Sequence, residues 1–389
     1  MVLKVVRMMA YKKEMTAHNT PTAIGDGQSY QSINNDSITD TDENSNSFDE
    51  NFYDYRLEMI RMMDKSYMPT ISMTELYNTV YEAKQPLIDG ILHTGTYLFV
   101  GAPKLGKSFF MAQLAYHVST GTPLWNYPTR KGTVLYLALE DDYRRLQERL
   151  YRMFGVSENE NLHFAVTANN LNDGLDEQLS GFISKHPDTV LIIIDTLQKV
   201  REMGGENYSY ANDYQIITKL KRFADNNGVC LMLVHHTRKQ QADDKFDMIS
   251  GTNGLLGAAD GAFLLAKEKR TSNSATLDIS GRDQQDQRLH LTRNETTLAW
   301  DLERAETELW KEPPEPLLEE IAKRITPDFS EWFGTPTELC SFLNIDMKPN
   351  VLTFRLNVNA GRLFNEYGIY YENKRCHDGR KVRLQFAKA

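Results

Sequence analysis

Three features of this 389-residue chain predict its fold class: a doubly wound α/β domain with a mostly parallel sheet, followed by a small winged-helix domain. Apolar runs alternate with helical patterns across the middle of the chain, the signature of strands joined by helical crossovers. The runs are continuously apolar rather than alternating, which strands covered on both faces require. A Pro-rich break at 311–316 then separates a compact tail with its own caps and turns.

Residues 1–70 read as an acidic, polar arm. From Glu14 through Tyr55 there is no Lys or Arg, while Asp36, Asp40, Asp42, Glu43, Asp49, Glu50 and Asp54 accumulate. Such a stretch has too little apolar area to offset its ordering entropy. The first residues mix apolar and basic types, but Arg7 interrupts the apolar run and no small-residue cleavage pattern follows. Nothing approaches the roughly 20 apolar residues of a membrane span. Cys230, Cys340 and Cys376 are scattered and fit no metal spacing, so a reduced, cytoplasmic protein is expected. The net charge of −9 argues against a protein that coats nucleic acid with its whole surface, though it leaves room for a local basic patch.

The α/β domain is expected over 71–310. It opens on a helix with Ser72 and Glu75 as a capping box and Leu76, Val80 and Tyr81 at helical spacing. Strands follow at 96–101, 133–140, 189–196, 229–236 and 261–267, with helices between them over 108–121, 143–155 and 214–228.

The chemistry concentrates where these strands end. Gly101, Ala102, Pro103, Lys104, Leu105, Gly106, Lys107 and Ser108 form a complete phosphate-binding loop between a strand and a helix. Its glycines let backbone N–H groups curl around phosphates. Lys107 is expected to reach the β- and γ-phosphates of ATP, and Ser108 to hold Mg²⁺. Asp195 ends the most apolar run and is the second expected Mg²⁺ anchor, an ordinary helix cap being the alternative. Glu140 ends the strand after the loop's helix and is the expected water-orienting base. Asp141 and Asp142 read as caps for the helix beginning near Tyr143. After the fourth apolar run, His236 is the first choice for sensing the γ-phosphate and His235 the second.

Together GAPKLGKS, LALEDD, LIIIDTLQ, LVHHTRK and SGTNGLLGAADGAFLL resemble the RecA/DnaB-type ATPases, and within them the RepA-like hexameric helicases of plasmids and mobile elements. The resemblance covers about residues 71–303. It implies a RecA-like fold, a homohexameric ring with ATP between subunits, and single-stranded DNA in the central hole. It also implies a basic finger reaching the neighbouring site. Arg282 lies where the family carries this residue; Lys269 and Arg270 compete, and an ion pair of Arg282 with Asp283 or Asp286 is the plainer alternative. Two loops, 201–212 and 237–253, would face the pore. There Lys199, Arg201, Arg238, Lys239 and Lys245 could meet phosphates, while Tyr208, Tyr210 and Phe246 could stack on bases.

The tail, 313–389, begins with a helix from about Pro316. Thr335 and Glu338 form a capping box with Pro336 between them, and Pro349 opens a longer helix ending at Gly368. Two strands follow around Asp378-Gly379, a hairpin signal. From Lys348 onward nine basic side chains face only Glu366, Glu372 and Asp378, a local excess of +6. Arg355, Asn359 and Arg362 share one helix face, and Lys381 and Arg383 lie on the wing; duplex DNA is the expected partner and a solvated basic face the alternative.

Overall fold

The computed structural model describes residues 64–81, 85–201, 210–237, 246, 249, 253–267, 269, 271–282, 284–306, 313–376 and 379–387. The chain divides into two compact units, Glu82–Ile321 and the residues before Glu82 together with Ala322–Ala389.

The larger unit is built on a nine-stranded sheet. Its strands are β1 (Gly95–Gly101), β2 (Thr133–Ala138), β3 (Leu162–Ala165), β4 (Thr189–Asp195), β5 (Cys230–His236), β6 (Gly261–Ala266), β7 (Ser274–Gly281), β8 (Gln284–Arg293) and β9 (Trp300–Ala305). They lie in the order β3-β2-β4-β5-β1-β6-β7-β8-β9. The first six are mutually parallel, and β7 to β9 extend the sheet as an antiparallel meander. All five expected strands are present. The short, half-buried β3 has too few residues to show a period and was not among them.

Helices α2 (Lys107–Thr120) and α3 (Tyr143–Phe154) belong to one core, with Phe99, Met111, Tyr136 and Trp300. Helices α4 (Leu175–Lys185) and α6 (Tyr210–Asn227) belong to a second, with Leu98, Ile192, Ile194 and Leu233. Alternate residues of one strand thus feed opposite cores, which explains the unbroken apolar runs. Each fully buried Leu, Ile or Phe contributes about 1.5–3 kcal/mol. Between these helices lie two short ones, α5 (Leu197–Val200) and α7 (Asn253–Ala258).

The smaller unit combines α1 (Met73–Asn78) with the chain's tail. The tail runs α8 (Pro316–Arg324, across the boundary between units), β10 (Glu331–Gly334), α9 (Pro336–Leu343), α10 (Pro349–Tyr367), β11 (Ile369–Cys376) and β12 (Gly379–Phe386). Its three strands form an antiparallel sheet in the order β10-β12-β11. Both expected capping boxes are made, by Ser72 with Glu75 and by Thr335 with Glu338.

One boundary needs correction. Helix α1 was expected to open the α/β domain, but it packs on α10: the Asn357 amide donates to the Tyr77 carbonyl at 2.8 Å, and Arg380 reaches Asn78 at 2.8 Å. Asn357 is itself buried and accepts from Tyr371 and Asn373, both at 3.0 Å, so α1 completes a polar network inside this unit. The helix ends at Asn78, and Leu76 and Tyr81 remain exposed rather than forming a core stripe.

Candidate nucleotide-binding site

Strand register brings the motifs together. Gly101 of β1 pairs with His236 of β5, and Ala138 of β2 pairs with Asp195 of β4. The phosphate loop, Glu140, Asp195 and His236 therefore leave one edge of the sheet, the carboxyl edge, where open α/β sheets bind ligands.

The loop's backbone demands its glycines. Gly106 has φ +100°, and a Cβ there would meet the Trp300 ring at 3.3 Å; a Cβ on Gly101 would press to 2.8 Å on the Leu265 carbonyl. Between them Ala102 and Leu105 turn inward while Pro103 and Lys104 are exposed. Helix α2 begins at Lys107 with no side chain capping Gly106, so its first N–H groups point outward as donors for an anion.

Lys107 is buried. It donates to the Gly101 carbonyl at 2.7 Å and the Ala102 carbonyl at 3.0 Å, and its Nζ lies 3.2 Å from His236 Nδ1. Burial pulls its pKa down to about 8, against the opposing pull of the Asp195 and Glu140 charges. Burial first, and the Lys107 charge second, also lower the pKa of His236, leaving a neutral ring near pH 7. His235, its neighbour on the strand, is buried.

Asp195 is 5% exposed. Burial raises its pKa, while hydrogen bonds from Ser108 and Tyr136 act the other way. The Tyr136 hydroxyl donates to it at 2.8 Å. The Ser108 hydroxyl and the Asp195 carboxylate thus face each other as hard oxygen donors, a pair suited to Mg²⁺, which keeps several waters and needs few protein ligands. Glu140 is exposed on the solvent side of this pair and accepts from the Thr196 hydroxyl at 3.1 Å.

Of the two expected helix caps, Asp142 caps α3 by accepting from the Arg145 N–H. Asp141 does not act as a cap. It forms a nearly buried ion pair with Arg149 at 2.7 Å, and the Arg149 guanidinium lies 5.0 Å over the Phe109 ring.

Arg201 also departs from expectation. It is 6% exposed and pairs with buried Asp213 at 2.9 Å, so its side chain is not presented to a phosphate backbone. Twelve residues of sequence separate the two, and helix α6 brings Asp213 back to it. Arg238 and Lys239 lie outside the described residues, as do Lys245, Tyr208 and Arg270. Arg282 is exposed, and its guanidinium donates to the Gly257 carbonyl at 2.8 Å. In the smaller unit Arg355, Asn359 and Arg362 are half-buried on α10. Asn359 bonds back to the Arg355 carbonyl, and Arg362 pairs with Glu366 at 2.7 Å. Arg383 pairs with Glu331 at 2.7 Å, and the Lys381 ammonium stands 5.9 Å from the Phe333 ring centre.

Two features escape a reading of the sequence. Tyr136 sits mid-strand and looks like core. A cationic cluster beside the loop joins Arg293, which lies 4.6 Å over Phe109, with Lys267, which stands 5.3 Å from Trp300. Arg152 is close enough to lower the Arg293 pKa, and Arg293 lowers that of Lys267, burial being the larger cause in both. Only the meander β7–β9 brings Arg293 and Trp300 to Gly106, and nothing local in the sequence announces it.

Residues 65–242 match the AAA domain family. The chain carries an AAA-type P-loop ATPase domain. No curated protein matches it. Among solved structures, an ATPase domain determined on its own aligns at 19% identity, covering 67% of this chain and 99% of that one, with a TM-score of 0.46. A DnaB-like replicative helicase aligns at 17% identity over 66% and 74% of the two chains, also at 0.46. A KaiC-like protein from the archaeon Pyrococcus horikoshii OT3 aligns at 14% over 58% and 99%, at 0.41. No described helix of the AAA-type chain is long and apolar enough to cross a membrane.

Proposed function

We propose that this protein is an ATP-dependent DNA helicase or translocase of the RepA-like kind, a homohexameric ring serving replication or transfer of a mobile element. The observation that carries the reading is the contact between Lys107 and His236. It ties the phosphate-gripping lysine to the last residue of β5, from which the chain enters the polar, lysine-bearing loop 237–253. A change at the γ-phosphate can thereby alter a segment suited to single-stranded DNA.

In this reading Lys107 holds the β- and γ-phosphates, and Ser108 and Asp195 hold Mg²⁺. The metal supplies charge neutralisation at the phosphoryl oxygens. Glu140, exposed at the mouth and anchored by Thr196, orients water for attack on the γ-phosphorus while the bond to the ADP oxygen breaks. Arg282, solvent-facing and bonded to a backbone carbonyl, serves a neighbouring subunit's site. The smaller unit acts as a winged helix, with Arg355, Asn359 and Arg362 of α10 toward a duplex groove and Lys381 and Arg383 on the wing.

That helix–strand–helix–helix–strand–strand order also favours a second reading, a DNA-binding initiator that uses ATP only to assemble. Strand displacement with ATP on a forked substrate separates the two. Mixing Arg282→Ala with Lys107→Ala subunits tests the ring, because each supplies what the other lacks and mixed rings regain some activity. Absence of strand displacement, with duplex binding intact and negligible turnover, would replace the helicase with the initiator. Mixtures that co-assemble yet stay as inactive as either parent would remove the trans role of Arg282.

A further inference from the structure

We propose that the outer face of the β10-β12-β11 sheet is a binding surface for single-stranded nucleic acid, separate from α10 and from the loops of the ATPase unit. Strand alternation defines the face. Val382 and Leu384 of β12, with Ile369 and Tyr371 of β11, point inward and are buried. The register then places Phe333, Arg383 and Glu372 in one outward row, Glu331, Gln385 and Tyr370 in the next, and Lys381 beside Lys374 in a third.

An outward row on a half-solvated sheet is ordinarily polar throughout. This one carries two aromatic rings, Phe333 at 64% exposure and Tyr370 at 52%. They stand on opposite edge strands, about 10 Å apart across the sheet from the strand spacing alone. The strand between them presents Lys381 and Arg383. Two rings with cations set between them match a single strand, whose bases stack on any π-face while its phosphates seek positive charge.

Charge and area both favour this occupant. The two carboxylates on the face are already paired, Glu331 with Arg383 and Glu372 with Lys374 at 3.4 Å, in exposed pairs worth about 0–1 kcal/mol that a phosphate can displace. Lys381 rests against the quadrupole of the Phe333 ring, which places its ammonium beside one stacking platform. The rings are isolated by polar neighbours and form no continuous apolar patch, the feature a docking protein would need. The chain from Lys348 onward has the +6 excess to attract a polyanion.

The inference does not depend on helicase activity, and its test separates the two. Full-length protein without nucleotide is titrated with fluorescein-labelled oligo-dT and oligo-rU, read by anisotropy, alongside a labelled duplex. Replacing Phe333 and Tyr370 together by Ser should weaken single-strand binding roughly fivefold or more per ring lost, leaving duplex binding and basal ATP hydrolysis unchanged. Phe333→Tyr with Tyr370→Phe should restore it. Oligonucleotides bearing 5-iodouracil should photo-cross-link to the peptides containing Phe333 and Tyr370. Single-strand affinity that survives the Ser pair, with cross-links mapping only to the ATPase unit, would overturn the proposal while leaving the helicase reading intact. Equal losses for single strand and duplex would overturn it too, marking the face as a general basic surface.

Discussion

The two units use charge in opposite ways. At the nucleotide end, Lys107 and Asp195 are buried among strand ends, each with a displaced pKa and close hydrogen-bond partners. On the small sheet, Lys381, Arg383 and Lys374 stand toward solvent, in contacts that exchange readily. A desolvated cation interacts strongly and loses everything when removed. Exposed cations act additively and are screened by salt. Chemistry belongs at the first kind of site and adjustable adhesion at the second.

The sharpest way to break this contrast is Lys107→Ala. It should abolish measurable ATP binding, whereas no single cation of the small unit should remove DNA binding entirely. The same lysine predicts a pH dependence. With its pKa near 8 in the free protein, Lys107 is mostly charged below that value and progressively neutral above it. Phosphates favour the charged form, so binding takes up a proton at higher pH. ATP affinity should be flat from about pH 6.5 to 7.5 as far as this group is concerned, then fall by up to about tenfold per unit above 8. Calorimetric titrations in two buffers of different ionisation enthalpy would register the proton; identical heats and affinities at about pH 7 and 9.5 would refute it.

Glu140→Gln should have the next largest effect: turnover reduced roughly 10²-fold with ATP binding preserved, as for loss of a water-positioning base. Near-normal hydrolysis would mean that another carboxylate does the work. The smallest effect belongs to the buried polar network of the small unit. Removing residues 1–81 leaves the Asn357 amide without the Tyr77 carbonyl, which should cost that unit about 1–3 kcal/mol. Hydrogen exchange should reveal faster opening of α10, β11 and β12 with the ATPase unit unaffected. Unchanged protection of α10 would show that α1 is dispensable.

What the sequence disclosed followed from how locally each feature is written. Strands β1, β2, β4, β5 and β6 are continuous apolar runs, and the phosphate loop is eight consecutive residues. Asp195 and Glu140 could be located because each ends such a run. Arg201 could not be judged, since its burial depends on Asp213 one helix turn into α6. Asp141 looked like a cap because it precedes a helix, but Arg149, two turns on, claims it. Tyr136 and Arg293 gain their roles from strands or meanders that meet only in three dimensions. The partnership of α1 with α10 has no local trace at all.

That partnership has a consequence during synthesis. Tyr77 and Asn357 are 280 residues apart, so α1 leaves the ribosome long before its docking surface exists. At about 5–20 residues per second the interval is tens of seconds, ample for the intervening ATPase unit to fold first. The small unit is therefore the last part of the molecule to close, and its completion reports that the whole message has been read. A chain truncated anywhere before β12 would carry a finished phosphate loop and an unfinished nucleic-acid module.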